Sequence, residues 1–325
     1  MKLITGLILL KAVYGASFDM LTPEAGYQWR HGEPIQGQYI VKLKIENNTA
    51  SIGHITSSIR VTPLLEFSVI FNGFVARLSD SDVKKLKNHP HDFEGRASYV
   101  ASYLDDATDE IHGTYVAGII ASTKYGVAKK SKLLSIRVLD DAGRTSASLL
   151  TKSLEDILRE RRRWLRKCPM GMVVNISLGV PKSQIVNTAA RTLVENGYFV
   201  VASAGNDARE VDISPASELR VCTVGSTTRL DQIALDSNFG IDLDIYAPGV
   251  HITSTKSGGG YLIASGTTVA APHVAGVGAC LLAQGQPAHG LCDLLGSMAL
   301  RNAINLRGRN GLTPNLLLNN GFKKR

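Results

Sequence analysis

Three short stretches carry side chains whose types and spacing suit acyl transfer. In Ser265-Gly266-Thr267-Thr268-Val269-Ala270-Ala271-Pro272-His273-Val274-Ala275-Gly276, a glycine turn leads into an apolar helix. That sets the Thr268 hydroxyl at a helix N-terminus, where free N–H groups and the helix dipole favour an anion. Taken alone, the stretch also reads as a core helix with Thr268 as an ordinary cap residue. The second stretch, Ile111-His112-Gly113-Thr114-Tyr115-Val116-Ala117-Gly118, places a histidine just before a helix of small residues. The third, Val200-Val201-Ala202-Ser203-Ala204-Gly205-Asn206-Asp207, is a β-branched strand whose carboxyl end presents the amide of Asn206. A base, an amide donor and a hydroxyl on three element ends of one sheet are the parts of an acyl-transfer site.

Those three ends need a frame. From Leu133 onward, near-continuous apolar runs alternate with amphipathic stretches. Strands are predicted over Leu133–Leu139, Met172–Leu178, Phe199–Ser203, Val221–Gly225 and Leu243–Tyr246. Helices are predicted over Ser146–Lys167, Thr188–Asn196, Thr268–Gln284 and Leu291–Ala303. This alternation implies an α/β fold, a parallel sheet with helices on both faces. Sites in such sheets lie at the carboxyl ends of strands. Upstream, Tyr39–Lys44 alternates as a strand, and Ser51–Arg60 is a weak amphipathic helix. Leu64–Leu78 reads as two strands turning at Asn72-Gly73, and Ser79 caps a helix. That order, β-α-β-β-α, is a small α+β ferredoxin-like domain.

Composition bounds the rest. The 325 residues are 44% hydrophobic and 20% charged, which suits a globular chain with a large core and one small extra domain. Much of the net charge of +8 is local to Arg159–Lys167. That run reads as the solvated face of a helix whose apolar side is Leu154, Ile157, Leu158 and Leu165, so no nucleic-acid partner is expected. Residues 1–16 combine a leading charge at Lys2, a short apolar run that contains Lys11, and small residues at Gly15 and Ala16, the pattern of a secretory signal peptide. The run is too short to span a membrane and no other long apolar stretch follows, so the expected location is extracellular. Residues 17–38 read as a polar linker. Of the four cysteines, Cys168, Cys222, Cys280 and Cys292, none shows metal-ligand spacing. Two glycosylation sequons occur, at Asn47 and at Asn175, the latter on a strand expected to be buried.

Together the three motifs resemble the subtilisin superfamily of serine proteases, and within it the secreted fungal branch around proteinase K. The likeness covers roughly residues 91–320, and Tyr125-Gly126-Val127-Ala128, Val138-Leu139-Asp140-Asp141 and Ser214-Pro215-Ala216-Ser217-Glu218 fit that branch in order. It implies a subtilisin-like fold over residues 91–325, with the small α+β domain at 39–90 as a propeptide. The implied activity is a secreted, monomeric endopeptidase, made as a zymogen and acting on polypeptides, with its own propeptide as inhibitor and partner. It also implies roles: His112 as base, Thr268 in the nucleophile's place, and Asn206 as oxyanion donor. Ser177, Leu178 and Gly179 form one substrate-strand edge, and Gly143 lies on the opposite edge. Calcium would be held by main-chain oxygens of Leu219 and Val221 with the Asp244 carboxylate. A disulfide would join Cys222 to Cys292.

The chain departs from the pattern. Threonine stands where the family has its nucleophilic serine, and the added methyl crowds the attacking oxygen. Val180 and Thr145 replace usual glycines of the two substrate edges. The segment carrying the catalytic aspartate is absent: the propeptide-like Leu86-Lys87-Asn88-His89-Pro90 runs directly into His91-Asp92-Phe93. Asp109 and Glu110 precede His112 on its own loop and do not replace that acid. The same gap removes the first core strand, so the sheet is expected to lack a strand, and removes the partner of Cys168. Cys280 reads as a buried thiol. Catalytic impairment follows as an expectation, with a peptide- or protease-binding pseudoenzyme as the alternative.

Overall fold

The computed structural model describes residues 93, 96–103, 111–140, 143–257, 260–309 and 312–321, together with five strands nearer the N-terminus. These five are β1 (Gly6–Leu9), β2 (Ser17–Leu21), β3 (Gln38–Lys44), β4 (Leu65–Phe67) and β5 (Gly73–Arg77). Next come β6 (Ala97–Ser102), α1 (Ile111–Ala121), β7 (Leu133–Arg137), α2 (Ala147–Arg159), α3 (Arg161–Lys167) and β8 (Met172–Ile176). They are followed by β9 (Val180–Pro181), α4 (Gln184–Glu195), β10 (Tyr198–Ser203), β11 (Ile213–Ser214), β12 (Cys222–Thr227) and β13 (Ile245–Pro248). The chain ends with β14 (Ile252–Thr255), β15 (Tyr261–Ala264), α5 (Thr267–Ala283), α6 (Leu291–Met298), β16 (Leu300–Arg301) and β17 (Leu316–Leu317).

A nine-stranded sheet orders these as β16-β17-β13-β12-β10-β8-β1-β7-β6. β8, β10, β12 and β13 pair in parallel, as do β6 and β7. Side chains of its interior strands alternate between two cores, as a period of two requires. Met172, Val174, Ile176, Val200 and Ala202 pack with Leu150, Leu154 and Ile157 of α2 and with Val186 and Leu193 of α4. Val173, Phe199 and Val201 turn to the other face, against Val116 and Ile120 of α1 and Ala270 and Val274 of α5. The predicted parallel sheet covered by helices on both faces is therefore present.

Several boundaries move. The helix expected over Ser146–Lys167 is two helices meeting at Glu160, whose N–H still bonds Asp156 O at 3.1 Å. Ser146 caps α2, its Oγ accepting from Leu149 N. The last predicted helix stops at Met298, and Leu300–Arg301 turns into an edge strand. Residues 17–21, read as the start of a linker, form β2, antiparallel to β3. The reason is visible in Ser17-Phe18-Asp19-Met20-Leu21, where apolar and polar residues alternate. β2, β3, β5 and β4 make a separate four-stranded antiparallel sheet, in which Phe67 of β4 faces Gly73 of β5. The expected Asn72-Gly73 turn falls at this junction; Asn72, the helix over 51–60 and the helix from Ser79 lie outside the described residues.

The expected missing core strand is met in another way. Between β7 and β8 lies β1, antiparallel to both. Gly6–Leu9 belongs to the stretch read as a removable leader, and in this chain it is an interior strand of the main sheet.

Candidate active site

Each site residue sits at the end of an element. His112 is the second residue of α1, a helix of small residues that packs against α5 and β14. The β14–β15 hairpin grips this helix closely. Ser254 Oγ donates to Tyr115 O and Thr255 Oγ1 to Thr114 O, both at 2.7 Å. Gly118 is required there, since a Cβ would lie 2.2 Å from Thr255 Oγ1. Asn206 follows β10 by three residues, and Thr268 is the second residue of α5. Gly266 caps α5 with φ +132°, a conformation that favours glycine, and a Cβ there would press on the Asn206 amide.

Asn206 and Thr267 lock together. Asn206 Oδ1 accepts from Thr267 N at 2.8 Å and from Thr267 Oγ1 at 2.9 Å, and Gly205 N donates to Thr267 Oγ1 at 3.1 Å. With Oδ1 so engaged, the amide NH₂ is the group left to serve a ligand. Asn206 and Thr268 both line a cavity of about 540 Å³, together with Leu178, Gly179, Val180 and Ile213. One wall is the short antiparallel pair β9–β11, in which Val180 faces Ser214. Its rim carries Arg209, which ion-pairs with Asp212 at 3.2 Å and Asp207 at 3.6 Å.

His112 is oriented elsewhere. Its Nε2–H donates to the Ser177 carbonyl at 3.0 Å. Burial pushes its pKa down, partly offset by that hydrogen bond, so the ring is held neutral near pH 7. Among the described residues no hydrogen bond joins His112 to Thr268, and no carboxylate influences its titration. A neutral imidazole with its proton on Nε2 has only Nδ1 left as a base.

Of the residues picked from sequence, Leu178, Gly179, Asn206 and Thr268 meet in one cavity, and Ser177 joins through His112. Gly143 is not among the cavity residues. It lies in a turn where Gly143 N donates to Asp140 O at 2.9 Å, and it is exposed with φ +74°. Thr267, Arg209, Asp212 and Ile213 were not singled out by sequence. Thr267 could have been, as the hydroxyl next to Thr268, whereas the others reach the cavity only through the fold. The Asn175 side chain is buried and donates to Ser177 Oγ at 2.9 Å, which leaves no room for a glycan.

Asp244 is the side-chain donor of the implied cation site. Asp244 Oδ2 accepts from Thr223 N at 2.7 Å. Burial chiefly, with Asp293 and Asp242 adding to it and the Thr223 N–H opposing it, raises its pKa to about 7. The Asp244 carboxylate is an oxygen donor of the kind a hard cation takes. Cys222 and Cys292 also approach Asp244, but their sulfurs are joined in the expected disulfide, with Cα atoms 5.6 Å apart, and offer no thiolate. Cys168 and Cys280 are reduced, and burial raises the pKa of Cys280. Around α3, Arg161 and Arg163 are engaged locally. Arg161 Nε donates to Asn196 O at 2.7 Å, and Arg163 pairs with Glu160 at 3.0 Å. Among the described residues no helix is long and apolar enough to cross a membrane.

Comparison with known proteins agrees with this geometry. The sequence profile of the Subtilase family (peptidase S8) matches residues 43–304. Proteinase T of Parengyodontium album is 42% identical over 238 residues, covering 72% of this chain and 80% of that protein. The subtilisin-like serine protease AsES of Sarocladium strictum is 43% identical over 238 residues, covering 72% of this chain and 60% of that protein. Alkaline serine protease ver112 of Corniculantispora psalliotae is 33% identical over 342 aligned positions, covering 85% of this chain and 88% of that protein. That alignment is longer than the 325 residues here, so ver112 carries segments without a counterpart in this chain. Among solved structures, a cold adapted subtilisin-like serine proteinase superposes with a TM-score of 0.64 at 34% identity, over 73% of this chain and 86% of that one.

Proposed function

The chain belongs to the Subtilase family, and from that premise we propose that it is a secreted serine-type endopeptidase by descent that binds extended polypeptide and cleaves it only slowly. The observation that carries this reading is the hydrogen bond from His112 Nε2 to the Ser177 carbonyl. Cleavage through an acyl-enzyme needs the Thr268 hydroxyl to lose its proton to His112 as it attacks the carbonyl carbon. The imidazolium then returns that proton to the leaving amine. In this chain Nε2 already holds a hydrogen and spends it on a main-chain oxygen. Nothing among the described residues steadies a charged ring from behind. The amide of Asn206 and the cavity beside it support the reading that binding outlasts proton transfer.

Secretion follows the signal-like residues 1–16 and the zymogen organisation follows the small domain at 39–90. Calcium, held by Asp244 with the main-chain oxygens of Leu219 and Val221, would have a structural role. The pseudoenzyme reading, a peptide- or protease-binding module, is the limit of the same proposal at zero turnover. Loss of triad members costs about 10⁴–10⁶ in turnover, without additivity. The test is hydrolysis of a fluorogenic peptide set by purified chain and by Thr268→Ala, alongside binding of a non-cleavable peptide aldehyde analogue. Slow or absent turnover with measurable peptide binding is expected. Ordinary peptidase turnover abolished by Thr268→Ala would overturn the proposal.

A further inference from the structure

The main sheet contains one strand out of keeping with the rest. β7 and β8 are wholly buried strands, yet they do not pair with each other. With a strand between them, at about 4.8 Å per spacing, their axes stand roughly 10 Å apart, too far for direct hydrogen bonds. β1 fills that space. Gly6, Leu7, Ile8 and Leu9 face Arg137, Ile136, Ser135 and Leu134 of β7, and Leu7 and Ile8 face Ile176 and Asn175 of β8. The occupant therefore reaches its place across more than a hundred residues of chain, and it runs against the direction of both neighbours.

We infer that the gap between β7 and β8 is a strand-acceptor site for an apolar, extended segment, and that this chain fills it with its own Gly6–Leu9. Three observations converge. The slot is interior, so an unfilled one would strand two rows of backbone N–H and C=O groups away from water. The segment is Gly-Leu-Ile-Leu, without charge or proline, which suits a strand buried on both faces. Its register places residues opposite both walls, as an inserted strand requires and a strand resting on one edge does not. The inference stands apart from the catalytic reading, because none of the site residues belongs to β1.

The consequence is competition for one segment. The stretch that reads as a secretory leader is also the strand that completes the sheet, so a chain that loses residues 1–16 loses the occupant. Recognition would be by main-chain hydrogen bonds to both walls, the mode of strand addition.

Amide hydrogen exchange on the full, unprocessed chain tests this. Leu7, Ile8 and Leu9 should exchange at least about 100-fold slower than unstructured amides, matching the protection of 134–137 and 175–176. Ile8→Pro, which removes a ladder donor inside the slot, should deprotect 134–137 and 175–176, or prevent folding. Ala12→Pro, three residues beyond the strand, should do neither. Unprotected amides at residues 7–9 beside protected β7 and β8 would overturn the proposal. So would Ile8→Pro behaving as Ala12→Pro does. If neither variant folds, the exchange pattern of the unaltered chain decides.

Discussion

At the residue scale, the site's candidate nucleophile and base differ in how firmly they are committed. Thr268 lines an open cavity, while His112 is bonded to the Ser177 carbonyl. Under the proposed function, a serine at 268 alone therefore leaves the larger obstacle, the His112–Ser177 bond, in place. Thr268→Ser should raise kcat/KM for a peptide anilide by less than about tenfold, because losses within one catalytic unit are not additive. A gain of several orders of magnitude would show that His112 turns to the hydroxyl when substrate binds. Asn206 has a structural duty separate from the oxyanion role proposed for it. Its Oδ1 accepts from both Thr267 N and Thr267 Oγ1, and Thr267 is fully buried. Asn206→Ala should thus cost about 1–3 kcal/mol of unfolding free energy, the cost of leaving a buried donor unmet. Urea unfolding measures it. Asn206→Asp keeps the acceptor and should recover most of that stability without restoring an amide donor.

At the element scale, two groups pull stability in opposite directions with pH. Asp244, before β13, has its pKa raised to about 7 from 3.8, chiefly by burial. The folded chain keeps a proton there that the unfolded chain has released, so this contribution falls as pH rises from about 4 to 7. His273, on α5, has its pKa lowered to about 4 from 6.5, again chiefly by burial, against hydrogen bonds to Val269 and Ala270. The unfolded chain takes up a proton that the folded chain refuses, so this contribution is lost as pH falls from 6.5 through 4. Without divalent cations the two should largely cancel between pH 4.5 and 6.5. Asp244→Asn should expose the acid-side loss, and His273→Gln the opposite slope, each at most about 4 kcal/mol. Denaturant melts at three pH values in that window check both. The elements also show what sequence can reveal. β8 and β10 are legible because their runs are apolar, β-branched and short. The break at Glu160 is not, because Ile157 and Trp164, both buried, stand two helical turns apart and keep one face continuous across it. β1 is illegible for a deeper reason: an interior strand and a leader have the same composition. His112 was legible as a site residue, but its ring orientation depends on the groups behind it, which spacing does not encode.

At the scale of the whole molecule, one covalent link crosses from the sheet to a covering helix. Cys222 opens β12 and Cys292 lies in α6, and their disulfide closes a loop of 70 residues. In the chain-entropy account such a loop contributes about 4 kcal/mol. Reduction should lower the thermal midpoint, read by calorimetry, by several degrees. Alkylation of the unreduced, unfolded chain should label two thiols, Cys168 and Cys280. Four labelled thiols would mean the link does not form in solution.

The direction of β1 sets a design rule for placing an acid beside His112. Gly6 faces Arg137, the last residue of β7, and Leu7 faces Ile176, the last residue of β8. A strand running with its neighbours would deliver its downstream flank to that carboxyl-end edge, the edge at which Asn206 follows β10. β1, running backwards, delivers its upstream flank instead. The residues before Gly6 are Met1-Lys2-Leu3-Ile4-Thr5, and none is acidic. A carboxylate grafted downstream of Leu9 would emerge at the opposite edge of the sheet, so an engineered acid partner for His112 belongs upstream of Gly6.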